Sequence, residues 1–183
     1  MALKKFKTEF KDYLKMVKPA FVKDLQQLLD KMEFQFKKGK SIKDMATLVF
    51  EYEFDYLDIM CWAADKNFNS ISEILPLPSD TNVAKATKKS EWTGFFPEKT
   101  FIRFEKHIKK NKNKEFKIRE KYDEFKYAAY QQWFASCWKK ASKDRKKVAA
   151  FVSVHDSDFK TDLNTGKQML EKDVKIRLLV KKK

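Results

Sequence analysis

The sequence predicts an α+β domain, with N-terminal helices and a long helix in the C-terminal half packed on one mainly antiparallel sheet. Three observations carry this. Apolar residues recur at three- and four-residue spacing from Phe6 to Phe36 and again from Phe116 to Ala141, the period of an amphipathic helix. Between and after those stretches the period drops to two, in LVFEYEF and VKIRLLV, as in half-buried strands. The order of helices, strands, a long helix and strands again is that of an α+β chain, and its 183 residues are expected to form a single domain, 1–183.

Phe6, Phe10, Tyr13, Leu14 and Val17 define a first helix over about residues 3–17. Pro19 fits the first turn of a second helix, where its missing N–H costs nothing, with Phe21, Leu25, Leu28, Leu29, Met32 and Phe36 along its face. A single kinked helix is the alternative. Gly39 in KKGK is the expected stop after a basic last turn.

From Leu48 to Phe54 apolar and acidic residues alternate, so Phe50, Tyr52 and Phe54 should face the core and Glu51, Glu53 and Asp55 should face outward. Leu57, Ile59, Cys61 and Ala63 repeat the alternation, predicting a hairpin that turns near Asp55–Tyr56. A helix through these residues would mix aromatic and acidic groups around its circumference. DKNFNSISEILPLPSD reads as a turn, a short strand and a loop ended by Pro76 and Pro78, and KSEWTGFFPEKT as an ordered connector. Phe101, Phe104 and Ile108 open a helix that KKNKNK interrupts, and a long helix follows with Phe116, Ile118, Tyr122, Phe125, Ala129, Trp133, Cys137 and Ala141 on its core face. VAAFVSV suits a buried strand. HDSDFKTDLNTG is turn-rich, with a short strand at most, and Val174 to Val180 should form the last strand.

The composition narrows the function. The formal net charge is +15, yet residues 41–70 hold six acids against two lysines, an acidic island in a basic chain. Only four of the 41 basic residues are arginine, the planar bidentate group that sequence-specific nucleic-acid readers favour. The chain holds 3 glycines and no glycine-rich phosphate loop, and neither zinc-protease nor hydrolase-nucleophile motifs occur. Cys61 and Cys137 lack CxxC partners, which argues for two core thiols and against a thiolate zinc site. No run has the roughly 18 apolar residues of a membrane span, and the amphipathic start MALKKFKTEF is unlike a signal peptide, so a cytoplasmic protein without membrane contact is expected.

Two groups of residues are candidates for a site. Glu51, Glu53, Asp55 and Asp58 form the acidic island. Successive outward residues of one strand lie about 7 Å apart, so Glu51, Glu53 and Asp55 cannot share one cation. They either pair across strands, with Lys175 and Arg177 offered at matching spacing, or dock a basic protein. His155, Asp156 and Asp158 follow the buried strand, as a general base, part of a metal site, or simply a capped and ordered loop. His107, in the basic helix, reads as a surface residue. No metal or other cofactor is expected.

The segments FEYEFDYLDIMCWAADK and WFASCWKKA…VAAFVSVHDS resemble α+β immunity proteins of bacterial polymorphic toxin systems, over about residues 48–66 and 127–158. In that family an N-terminal helix precedes a sheet, and a tryptophan-bearing helix precedes a strand ending in a polar loop. The resemblance implies a non-enzymatic protein that binds and neutralises a cognate toxin, with no catalytic residue to carry over. The basic composition departs from the acidic tendency of such proteins. The acidic island and the His155–Asp158 loop are then the expected partner contacts. A lysine-rich nucleic-acid-associated protein, acting through residues 106–121, is the alternative, and a small metal-dependent nuclease using His155 and Asp156 a third.

Overall fold

A computed structural model describes residues 2–54, 57–77, 98–145 and 147–180. Among the described residues, four α-helices and a six-stranded sheet form the α+β architecture. The helices are α1 (Ala2–Lys31), α2 (Glu98–Lys110), α3 (Glu115–Ala141) and α4 (Glu171–Val180). The strands are β1 (Thr47–Tyr52), β2 (Ile59–Ala64), β3 (Leu75–Leu77), β4 (Ala149–Val154), β5 (Phe159–Asp162) and β6 (Gln168–Leu170). Their order is β3-β2-β1-β4-β5-β6, and every pairing is antiparallel except β1 with β4.

One face of the sheet carries the aromatic core. Phe50 of β1 meets Phe134 and Trp138 of α3 edge-on, at ring-centroid distances of 5.3 and 5.7 Å. Trp133, one residue earlier on α3, turns to α1, stacks on Phe21 at 5.0 Å and donates its indole N–H to the Leu14 carbonyl. Tyr130 packs edge-on against Tyr52 and donates its hydroxyl to the Leu57 carbonyl, tying α3 to the start of β2. Thus α3 buries Lys126, Tyr130, Phe134 and Trp138 beside the expected Tyr122, Trp133, Cys137 and Ala141. A single apolar stripe underestimates a helix that touches both a sheet and another helix. Phe116, expected on that stripe, lies in the first turn and is 79% exposed. Cys61 and Cys137 are buried free thiols, pushed up by burial, Cys137 to about 12.

Several boundaries differ from the sequence expectation. Residues 3–17 and those after Pro19 form one helix, because Val17, Phe21, Val22 and Leu25 on either side of the proline enter the same core. That burial offsets the roughly 3 kcal/mol cost of an internal proline. The helix stops at Lys31 instead of running to Phe36, with Met32 in the left-handed region (φ 48°). Phe36 then bridges Ser72, as EFQF joins the segment that follows β2. Gly39 (φ 74°) belongs to a tight turn closed from Lys40 N–H to the Lys37 carbonyl. Pro76 sits inside β3, which pairs with β2. The turn at Asp55–Tyr56 and residues 89–97 of the connector lie outside the described residues, whereas 98–100 open α2. Phe54 is expected to face the core but lies beyond β1, half exposed against Tyr127. KKNKNK does interrupt the helices, as a 3-10 turn over Lys112–Lys114.

The largest difference is VKIRLLV, a helix and not a strand. Its alternation also places Val174 and Leu178 four apart, and both bury against Phe151 on the second face of the sheet. Glu171 and Asp173 in the first turn and Arg177 in the last suit the helix dipole. The edge position is taken by β6, which pairs with β5.

Phe50→Ala should lower stability by about 3–5 kcal/mol, the usual cost of emptying a buried aromatic site. Phe116→Ala should change it by less than about 0.5 kcal/mol. Urea denaturation of the two variants beside the parent chain checks both.

Candidate functional site

Because β1 lies between β2 and β4, its backbone is paired on both sides and all six of its residues are buried. Phe50 and Tyr52 face the helices, so Glu51 must face the other side, where its neighbours are Met60 of β2 and Ser153 of β4. That second face is covered unevenly. Over β4 to β6 it carries α4, with Val174, Leu178, Met169 and Phe151 in a small core that Phe68 joins from the loop after β2. A groove of about 430 Å³ lies alongside, lined by Glu51, Trp62, Phe68, Ile74, Lys160 and Glu171 among others.

Glu51 forms the floor of this groove and is held by an ionic network. Its Oε1 accepts from Lys160 Nζ at 2.8 Å and from Ser153 Oγ at 3.4 Å. Its Oε2 lies 3.0 Å from His155 Nδ1. Lys160 is almost wholly buried and also donates to Ser153 Oγ at 3.1 Å, with Glu171 at 3.9 Å. An ammonium taken out of water in this way requires a carboxylate partner, and Glu51 supplies it.

Glu51 is therefore not an open partner contact, because it is sequestered on the second face. Nor do Lys175 and Arg177 neutralise it: in α4, Lys175 pairs with Glu171 and Arg177 with Asp162. The cation that does so is Lys160, from the segment read as turn-rich. The period of two in DFKTD, which sets Lys160 and Asp162 on one face, is the signal for it.

The parallel pairing of β1 with β4 brings both candidate groups to one end of the sheet, although they are about a hundred residues apart in sequence. His155 N–H donates to the Tyr52 carbonyl, and its ring lies between Glu51 and Asp156, 3.6 Å from the latter. Glu53 N–H donates to the Asp58 carbonyl across the hairpin mouth. Glu53 and Asp58 are half-buried, Asp156 and Asp158 exposed, and Asp55 lies outside the described residues. Asp156 takes a left-handed conformation (φ 58°), and the Asp158 carbonyl accepts the Glu171 N–H at the start of α4, so the loop also has a structural task. His107 is half-buried rather than a surface residue, tilted against Phe6 and beside Asn111.

The chemistry open to this arrangement is limited. Ser153 is about 1% exposed, so a substrate does not reach its hydroxyl, and the charge of Lys160 is answered by Glu51. Among the described residues no three His, Cys, Asp or Glu side chains are placed to hold a metal ion. No described helix is long and apolar enough to cross a membrane. What the groove does offer is contact: Trp62, Phe68 and Ile74 beside an acidic sheet end.

The hydrogen bond that Glu51 accepts from the ring, aided by the charge of Asp156, raises the His155 pKa above its ordinary 6.5. The protonated ring is the form that Glu51 favours, so its stabilisation is complete below pH 6.5 and fades as pH rises through the folded-state value. An NMR titration of His155 should show a midpoint above 6.5 that falls back towards it in Glu51→Gln. Glu51→Ala should destabilise by about 3–5 kcal/mol by stranding Lys160, whereas the pair Glu51→Met with Lys160→Met should cost far less, within about 1 kcal/mol of the parent or better. Chemical denaturation of the three chains tests this ordering.

No protein-family model matches the chain, and neither the curated proteins nor the solved structures contain a match to it.

Proposed function

We propose that this chain is a non-enzymatic protein-binding protein, in the form its sequence resemblance suggests: an immunity protein that occludes a cognate bacterial toxin. The observation that carries the reading is the half of the second sheet face left outside α4. There Met60 and Trp62 point away from the helical core, Ile74 is 57% exposed, and Pro76 lies beside Met60 on β3. Apolar patches rimmed by charge mark binding surfaces, and tryptophan and methionine are enriched in them.

The rim gives the partner a sign. Glu53, Asp58, Asp156 and Asp158 stand at the end of the sheet, with Glu73 and Glu171 along the groove and Lys37 opposing them. This acidic border would steer a basic surface into place, and the apolar patch would receive its anchor. Glu51 acts from beneath, by fixing the floor on which Trp62 and Met60 lie.

The test is direct. Expressed with the product of the neighbouring open reading frame, the chain should form a stable complex and relieve that product's toxicity. Trp62→Ala should weaken the complex by about 2 kcal/mol, roughly thirty-fold in Kd, and Ile74→Asp by a similar factor. Thermal melting should stay close to the parent. Absence of a complex, or undiminished binding by both variants, refutes the reading.

A further inference from the structure

A second concavity, of about 890 Å³, opens where the C-terminal end of α3 meets the β5–β6 turn, and it shares no residue with the groove around Glu51. Five cationic side chains line it: Lys139, Lys143, Arg145, Lys147 and Arg177. They come from three separate parts of the chain, namely the end of α3, the connector to β4, and α4. Asp144 is the one carboxylate among the described lining residues.

The two arginines are already fixed. Arg145 holds Asp30 through two hydrogen bonds, of 2.6 and 2.8 Å, and donates a third to the Ala141 carbonyl. Arg177 pairs with Asp162, which also caps the turn through Asn164 N–H and Thr165 Oγ. The lysines differ. Lys139, Lys143 and Lys147 make no ion pair with any described carboxylate. A further ammonium, Lys18, donates to Ser136 at the cleft wall, at 2.8 Å.

Cations collect at helix C-termini to answer the dipole, which accounts for Lys139 and Lys143. It does not account for Lys147 or Arg177, which reach the same cleft from other elements. Several like charges around one concavity, over a floor that includes the buried Trp138 and Leu163, focus a positive potential and repel one another. A ligand with several closely spaced negative charges relieves that repulsion. The volume is in the range of about 300–1,000 Å³ usual for small-ligand sites. Trp138 is fully buried and is the one aromatic residue in the described lining, so the cleft has no platform for stacking the bases of a nucleic-acid strand.

We propose that this cleft binds a compact polyphosphate, a short chain of linked phosphate groups such as the one a nucleoside triphosphate carries. Lysine ammoniums act on it as point charges, while the clamped arginines and Asn164 set the walls. The site is separate from the protein-binding face and does not depend on it.

Calorimetric titration with inorganic tripolyphosphate, at about 50 mM salt where screening is weak, provides the test. Binding should saturate at one anion per chain. The double substitution Lys143→Glu with Lys147→Glu should lower affinity at least about ten-fold, and the control Lys110→Glu with Lys112→Glu should leave it within about two-fold. The milder pair Lys139→Gln with Lys143→Gln, checked for an unchanged melting temperature, should weaken binding several-fold and guards against misfolding of the charge reversals. A single-stranded oligonucleotide should bind more weakly than tripolyphosphate and lose affinity equally in both double reversals. No saturable binding of tripolyphosphate, equal loss in the control, or tighter binding of the oligonucleotide overturns the proposal.

Discussion

The burial of β1 on both faces is the constraint on which the rest of the structure depends. Pairing with β2 on one side and β4 on the other occupies its backbone, so its side chains need partners above and below the sheet. On the helical face Phe50 and Tyr52 organise the aromatic contacts of α3, through Phe134, Trp138 and Tyr130. On the other face Glu51 cannot reach bulk water freely, and Lys160, His155 and Ser153 close around it. The two sets of contacts are linked, because a slip of one residue in β1 would exchange Phe50 for Glu51 in the aromatic core.

A buried Glu–Lys pair is a weak source of net stability, since desolvation consumes most of its Coulombic gain. The pair forms because Glu51 and Lys160 face the same side of the sheet, the side on which Met60 and Trp62 also lie. The ionic network thereby fixes the floor of the groove that Trp62 and Phe68 line. The chain's positive charge is arranged separately, with its concave concentration at the end of α3.

Much of this was legible in the sequence, for identifiable reasons. The long helical periods of residues 6–28 and 122–141 exceed what any strand would tolerate, and both segments are helical. The FEYEFDYLD hairpin and the VAAFVSV strand also have the expected type and near-expected ends. Shorter signals failed where two periods fit equally well. VKIRLLV satisfies an alternating template and an i, i+4 pair at once, and the apolar surface of Phe151 selects the helix. Glu51 lies on a strand face as read, but Lys160, and neither Lys175 nor Arg177, covers it, because its partner depends on which strand lies two positions away in the sheet.

The sequence by itself determined the α+β class, the hairpin, the long aromatic helix and the acidic island, all of which are local consequences of side-chain period and charge. Tertiary structure alone decided that β1 and β4 run parallel and so unite Glu51 with His155, and that Lys160 and not Lys175 or Arg177 answers Glu51. It likewise decided that lysines from the α3 end and the β4 connector share a cleft with Arg177 of α4. The reason is physical: period reports which face a residue occupies, whereas its partners depend on strand order and helix docking, which the burial of the whole chain sets together.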